Sequence, residues 1–138
     1  MLKNQSYVEL MQQMASVGCS QKALIITCDG DLRGMLTYAL ESYGMYLQFC
    51  QGDAEALAFS MIDSYDCVII DCDTDGDGMD GIELVRRLRE QSVFTILIGL
   101  SKEDRGAAYL QAGANDFLQK PFVPYRLAMM LDGGDIPA

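Results

Sequence analysis

The sequence predicts an α/β domain: a doubly wound, five-stranded parallel sheet in the order 2-1-3-4-5, preceded by an extra amino-terminal helix. Two observations carry this. Short apolar runs of strand length alternate with segments whose apolar residues recur at helical spacing, which is the signature of βαβ units with helices on both faces of a sheet. Right-handed crossovers then leave few arrangements for five strands, and the doubly wound order suits them.

The elements follow in order from residue 23. Ala23 to Thr27 is a short apolar run closed by the turn-prone Cys28-Asp29-Gly30-Asp31. Leu32, Met35, Leu36, Ala39, Leu40 and Tyr43 repeat every three or four residues, so a helix with one apolar stripe comes next, closed by Gly44. Met45 to Cys50 reads as the second strand. Asp53 is placed to cap a helix whose stripe is Ala54, Leu57, Ala58, Met61 and Ile62. Cys67 to Asp71 is the third strand, followed by an acidic loop. Asp80 and Glu83 are spaced like a capping box at the start of a third helix, which turns Ile82, Val85 and Leu88 inward and Arg86, Arg87 and Arg89 outward. Phe94 to Leu100 is the most strand-like segment. Ser101 to Asp104 is placed to cap a fourth helix, which stops at Gly113. A short strand around Phe117 and Leu118 leads to Lys120-Pro121, and a brief last helix offers Val123, Leu127, Met130 and Leu131. Residues 1–20 stand apart: Ser6 and Glu9 resemble a capping box, and Tyr7, Leu10, Met11 and Met14 form one stripe. The expected division is 1–20 as a helical extension, 21–132 as the domain and 133–138 as a tail.

Composition bounds the function. With 138 residues the chain holds about one core, and half of its residues are apolar. No apolar run approaches the ~20 residues of a membrane span, and the polar, periodic amino terminus does not read as a signal peptide, so a cytoplasmic protein is expected. A net charge of −10 without a basic cluster or spare length for an output domain argues against direct nucleic-acid binding. The five cysteines (Cys19, Cys28, Cys50, Cys67, Cys72) form no Cys-x-x-Cys pair, and Cys28, Cys50 and Cys67 lie in or beside apolar runs. They read as buried, reduced thiols.

In doubly wound sheets ligands bind beyond the carboxyl ends of the strands. The pattern ends the first strand at Asp29, the third at Asp71, the fourth at Ser101 and the fifth at Lys120, so four polar side chains converge. A carboxylate can attack a phosphoryl group, an ammonium can neutralise its oxygens, and a hydroxyl can bond one of them. Such chemistry calls for a divalent cation nearby.

Here the chain resembles the response-regulator receiver family of two-component signalling, a flavodoxin-like fold, over roughly residues 22–131. The segment Tyr65 to Asp71 matches that family's third strand, Met79 to Arg89 the opening of its third helix, and Ala112 to Phe122 its fifth strand. The resemblance implies that Asp71 is the phosphoacceptor, with Ser101 as the switch hydroxyl, Lys120 as the conserved-type lysine before a cis proline, and Phe117 as the switch aromatic. It implies no enzyme beyond self-phosphorylation and self-dephosphorylation. It also implies a histidine kinase or phosphotransfer protein upstream, a downstream protein target, and Mg²⁺ as cofactor, with Asp29, Asp71 and Asp73 as the metal ligands.

The chain departs from that pattern in three places. Thr27 and Cys28 fall where the family carries its metal-binding acidic pair, leaving Asp29 as the adjacent acid. The loop after Asp71 is longer than usual and carries Asp73, Asp75, Asp77 and Asp80. It opens like a calcium loop, but its twelfth position is Ile82 instead of Glu. The fourth helix is short and the fifth ends early, so signalling is expected through another surface, with the amino-terminal helix a candidate for homodimerisation. Three readings stay open: a stand-alone receiver phosphorylated on Asp71, a pseudo-receiver that binds partners without phosphorylation, and a metal-binding domain built on Asp71 to Asp80 or a small flavodoxin-like enzyme.

Overall fold

The computed structural model describes residues 21–41, 44–62, 64–71, 80–91, 95–123, 126–127 and 130. Within them the chain forms β1 (Lys22–Ile26), α1 (Gly30–Glu41), β2 (Tyr46–Cys50), α2 (Asp53–Ile62), β3 (Cys67–Asp71), α3 (Gly81–Glu90), β4 (Ile96–Ser101), α4 (Gly106–Ala112) and β5 (Asp116–Gln119). Residues 126–127 and 130 are also helical. The five strands are parallel and lie in the order β2-β1-β3-β4-β5, as the alternation of elements predicts. The expected amino-terminal helix over 1–20 and the tail 133–138 lie outside the described residues.

Because side chains alternate across a strand, each central strand feeds two cores. Leu24, Ile26, Val68, Ile70 and Leu97 face α2, α3 and α4, whose Ala56, Leu84, Val85, Leu88 and Tyr109 complete one cluster. Ala23, Ile25, Ile69, Ile98 and Leu100 face α1 and Leu127, with Leu32, Leu36 and Leu40 closing the other. Three buried leucines spaced four apart are enough to seat α1, since each removes a side chain from water for about 2 kcal/mol. Gly44 ends that helix as expected, donating its N–H to the Glu41 carbonyl at 3.0 Å.

Several local expectations are corrected. β1 stops at Ile26, short of Thr27 and Asp29. The stripe of α2 is rotated: Ala56 is buried and Leu57 and Phe59 pack on the core, while Ala54, Ala58 and Met61 face solvent. A phenylalanine ring has more surface to bury than an alanine, and it sets the face. Cys50 and Cys67 are buried free thiols, as predicted, and burial pushes both up to about 12. Cys28 is exposed instead, because the chain leaves the sheet before it. Val123 is also exposed.

Arg89, expected outward, is half-buried: its guanidinium donates to the carbonyls of Gly113 (2.8 Å) and Thr95 (2.9 Å) and to Asn115 Oδ1 (2.7 Å). It ties α3 to the residue before β4 and to the connection between α4 and β5. The capping signal at α3 is not used as such, and at α4 Asp104 Oδ1 accepts the Gly106 N–H at 3.5 Å. Asp80 makes no side-chain cap, and Glu83 instead bonds Arg86 and Arg87 on its own helix. Arg105, not a residue of Ser101 to Asp104, stands at the start of α4.

Candidate functional site

Asp71 is the last residue of β3, and its side chain is 3% exposed. Both carboxylate oxygens are engaged. Lys120 Nζ lies 2.6 Å from Oδ1 and Thr27 Oγ1 donates to Oδ2, also at 2.6 Å. Two short bonds from an ammonium and a hydroxyl hold the carboxylate in one orientation at the carboxyl end of the sheet.

Each partner is delivered by backbone geometry. Lys120 follows β5 directly, and its N–H donates to the Ser101 carbonyl at 2.7 Å, which fixes the lysine beside the end of β4. The cis peptide between Lys120 and Pro121 is present, as the resemblance implies. Ser101 is fully buried at the end of β4, one residue beyond Leu100, which pairs with Asp71. Its Oγ accepts the Glu103 N–H at 3.2 Å, holding the turn that leaves the strand.

On the other flank, Thr27 N–H extends the β1–β2 ladder by one bond to the Cys50 carbonyl at 3.0 Å. That bond turns the Thr27 hydroxyl toward Asp71 and sends Cys28 outward, where Sγ meets the Gln51 carbonyl at 3.3 Å. Asp29 Oδ1 accepts the N–H groups of Asp31 (3.0 Å) and Leu32 (3.2 Å), so this carboxylate caps α1. Asp29 also borders, with Asp31, Leu32, Met35, Lys102, Lys120, Pro121 and Phe122, an open cavity of about 540 Å³ next to the site. Asp73 lies outside the described residues, as do Asp75 and Asp77. Asp80, at the far end of that loop, is held by both Nη atoms of Arg105 at 2.9 and 2.8 Å. That bond keeps its carboxyl below the usual 3.8.

Phe117 stands on β5 opposite Gly99 of β4. Its ring stacks on the fully buried Tyr109 with centroids 5.4 Å apart. The Tyr109 ring fills the space above Gly99: a Cβ there would lie 2.3 Å from the ring, and one on Gly81 would lie 2.1 Å from the hydroxyl. Glycine is required at both positions by this close approach.

Two site residues were not legible as such in the sequence. In the sequence Thr27 stands only as a residue in place of a metal ligand, and its hydrogen bond to Asp71 emerges from the fold. Tyr109 was not singled out, although a glycine inside the apolar Leu97-Ile98-Gly99-Leu100 strand is a known sign that something bulky approaches.

A doubly wound sheet with a carboxylate, a lysine and a buried hydroxyl at its carboxyl end defines a signalling receiver by architecture. Residues 23–132 match the response regulator receiver domain family, and the chain belongs to that family. Among curated relatives, it is 36% identical over 112 residues to the transcriptional regulatory protein FixJ of Bradyrhizobium diazoefficiens, with 78% of this chain and 53% of the relative aligned. It is 27% identical over 110 residues to ResD of Bacillus subtilis, covering 78% of this chain and 45% of that protein. The chain thus spans about half the length of these relatives. Among solved structures, the chemotaxis response regulator CheY4 of Vibrio cholerae superposes with a TM-score of 0.74 at 28% identity, over 83% of this chain and 98% of that one. A Francisella response regulator receiver domain gives 0.75 at 28% identity, over 82% and 94%. No helix among the described residues is long and apolar enough to cross a membrane.

Proposed function

We propose that this receiver domain accepts a phosphoryl group on Asp71 from the phosphohistidine of a histidine kinase or phosphotransfer protein. The observation that carries it is the contact of Lys120 Nζ with Asp71 Oδ1 at the sheet end where Ser101 is buried. In the transfer, a carboxylate oxygen of Asp71 forms the new O–P bond, the N–P bond of the donor breaks, and the leaving imidazole takes up a proton. Lys120 offsets charge on the phosphoryl oxygens and Ser101 supplies a hydroxyl donor to one of them. The added charge of roughly −2 then redistributes contacts around Phe117 and shifts a surface read by a downstream protein. The setting is cytoplasmic, output passes by protein contact, and residues 1–20 are a candidate for pairing two copies. Chemistry at Asp71 extends no further than gaining and losing the phosphoryl group.

The test is incubation of the purified chain with acetyl phosphate, read as intact mass. Gain of one phosphoryl group, absent from Asp71→Asn, is the expected result. No gain under any divalent cation, and none from a kinase extract, would refute phosphorylation. It would leave the second reading, a pseudo-receiver that binds partners in one fixed state. The observation favouring that reading is the hydroxyl of Thr27 on Asp71 where the family pattern places an acid.

A further inference from the structure

Receiver domains as a class use Mg²⁺ at an acidic pocket, and the residues here can be tested against that requirement. Three observations bear on it. First, the Asp29 N–H donates to Thr27 Oγ1 at 2.9 Å, so the single hydroxyl proton of Thr27 is the one that lies on Asp71 Oδ2. A cation approaching that oxygen has to displace a bound proton donor. Second, Cys28 is exposed and turned to the Gln51 carbonyl, and a thiol is a poor ligand for so hard an ion. Third, Asp29 Oδ1 is engaged by two N–H groups of α1.

Charge points the same way. Asp71 and Lys120 already form a neutral pair, with side chains 3% and 12% exposed. A divalent cation added to this pair, with uncharged residues at 27 and 28, would bring the charge of these groups to about +2, which low-dielectric surroundings strongly oppose. The family pattern avoids this with two further acids at positions 27 and 28, and the chain has neither.

We infer that Thr27 has taken the cation's place at Asp71, so that this carboxylate is positioned by a hydroxyl and an ammonium and the site takes no Mg²⁺. Thr27 is thereby a positioning residue, linking Asp71 through the Asp29 N–H to the first turn of α1. The inference rests on membership of the receiver family and not on phosphorylation.

The experiment is thermal unfolding of the full chain with and without about 10 mM MgCl₂ at matched ionic strength, with no phosphodonor present. A ligand that binds only the folded state raises the midpoint. The wild type and Thr27→Ser, which keeps the hydroxyl, are expected to show no Mg²⁺-dependent shift. The double variant Thr27→Asp/Cys28→Asp is expected to gain a shift of a few degrees. A wild-type rise that disappears in Asp71→Asn would overturn the inference, as would a folded double variant that ignores Mg²⁺. A wild-type rise that survives Asp71→Asn places the cation away from this carboxylate and agrees with it. Should the double variant fail to fold, Cys28→Asp alone, at an exposed position, is read by Mn²⁺ binding in electron paramagnetic resonance. Binding there supports the inference only if the wild type lacks it, and equal binding by both overturns it. Because phosphorylation is measured by mass in separate samples, either result stands whatever the other shows.

Discussion

The two flanks of Asp71 have been treated differently. On the β4–β5 side, Ser101, Lys120 and the cis Lys120–Pro121 bond stand where the receiver pattern puts them, and the backbone bond from Lys120 to Ser101 locks them together. On the β1–α1 side, every polar group has a new partner: Thr27 bonds Asp71, Cys28 points outward and Asp29 caps a helix. The β4–β5 flank keeps the arrangement that the receiver pattern leads one to expect, whereas positions 27 and 28, where that pattern has acids, carry a hydroxyl and a thiol. One flank of a site can therefore change its residues without disturbing the sheet that carries both.

The contrast is sharpest at Lys120. Lys120→Met would leave Asp71 as a buried charge without its cation, and a loss of about 3 kcal/mol in urea unfolding at neutral pH is expected. Thr27→Val removes a neutral donor to a charged acceptor and should cost about 2 kcal/mol in the same assay. Equal costs, or a larger one at Thr27, would break the comparison by making the hydroxyl the principal support.

The smallest effect is expected at the Asp80–Arg105 pair, which lies outside both flanks and whose carboxylate is 45% exposed. Solvent screens it, so Arg105→Met should cost no more than about 0.5 kcal/mol. The sign with pH follows from the direction of the Asp80 shift. Its folded value lies below the ordinary 3.8, so the contribution is present above that value and is lost as pH falls through the depressed one. Wild type and variant should converge in acid, and a difference that persists there would show that Arg105 acts by packing on the Tyr109 ring, 5.9 Å away.

Strand order was legible because apolar runs and periodic segments alternate, and the sheet needs little more than that. Asp71 and Ser101 were legible for the same reason, since a polar residue ending an apolar strand is conspicuous, whereas Lys120 follows the polar Gln119 and stands out by its place before Pro121. What stayed hidden depended on side-chain direction. Whether Thr27 or Cys28 faces the sheet end is decided by one ladder bond to Cys50, and β1 ends at Ile26, one residue before the end of the apolar run and three before Asp29. The face of α2 departs from the alanine spacing because the single Phe59 has more surface to bury than the alanines. Arg89 looked solvated because a guanidinium on a helix usually is, and its acceptors come from loops far along the chain.

The seating of Tyr109 over Gly99 and Gly81 also has a consequence for descent. A large residue at 99 collides with the ring already there, whereas a small residue at 109 merely leaves a void, which is costly but foldable. Substitution paths through this core are therefore directional: position 109 must shrink before 99 or 81 can grow. Descendants of this chain should show the ring lost with both glycines intact far more often than either glycine replaced beneath the ring.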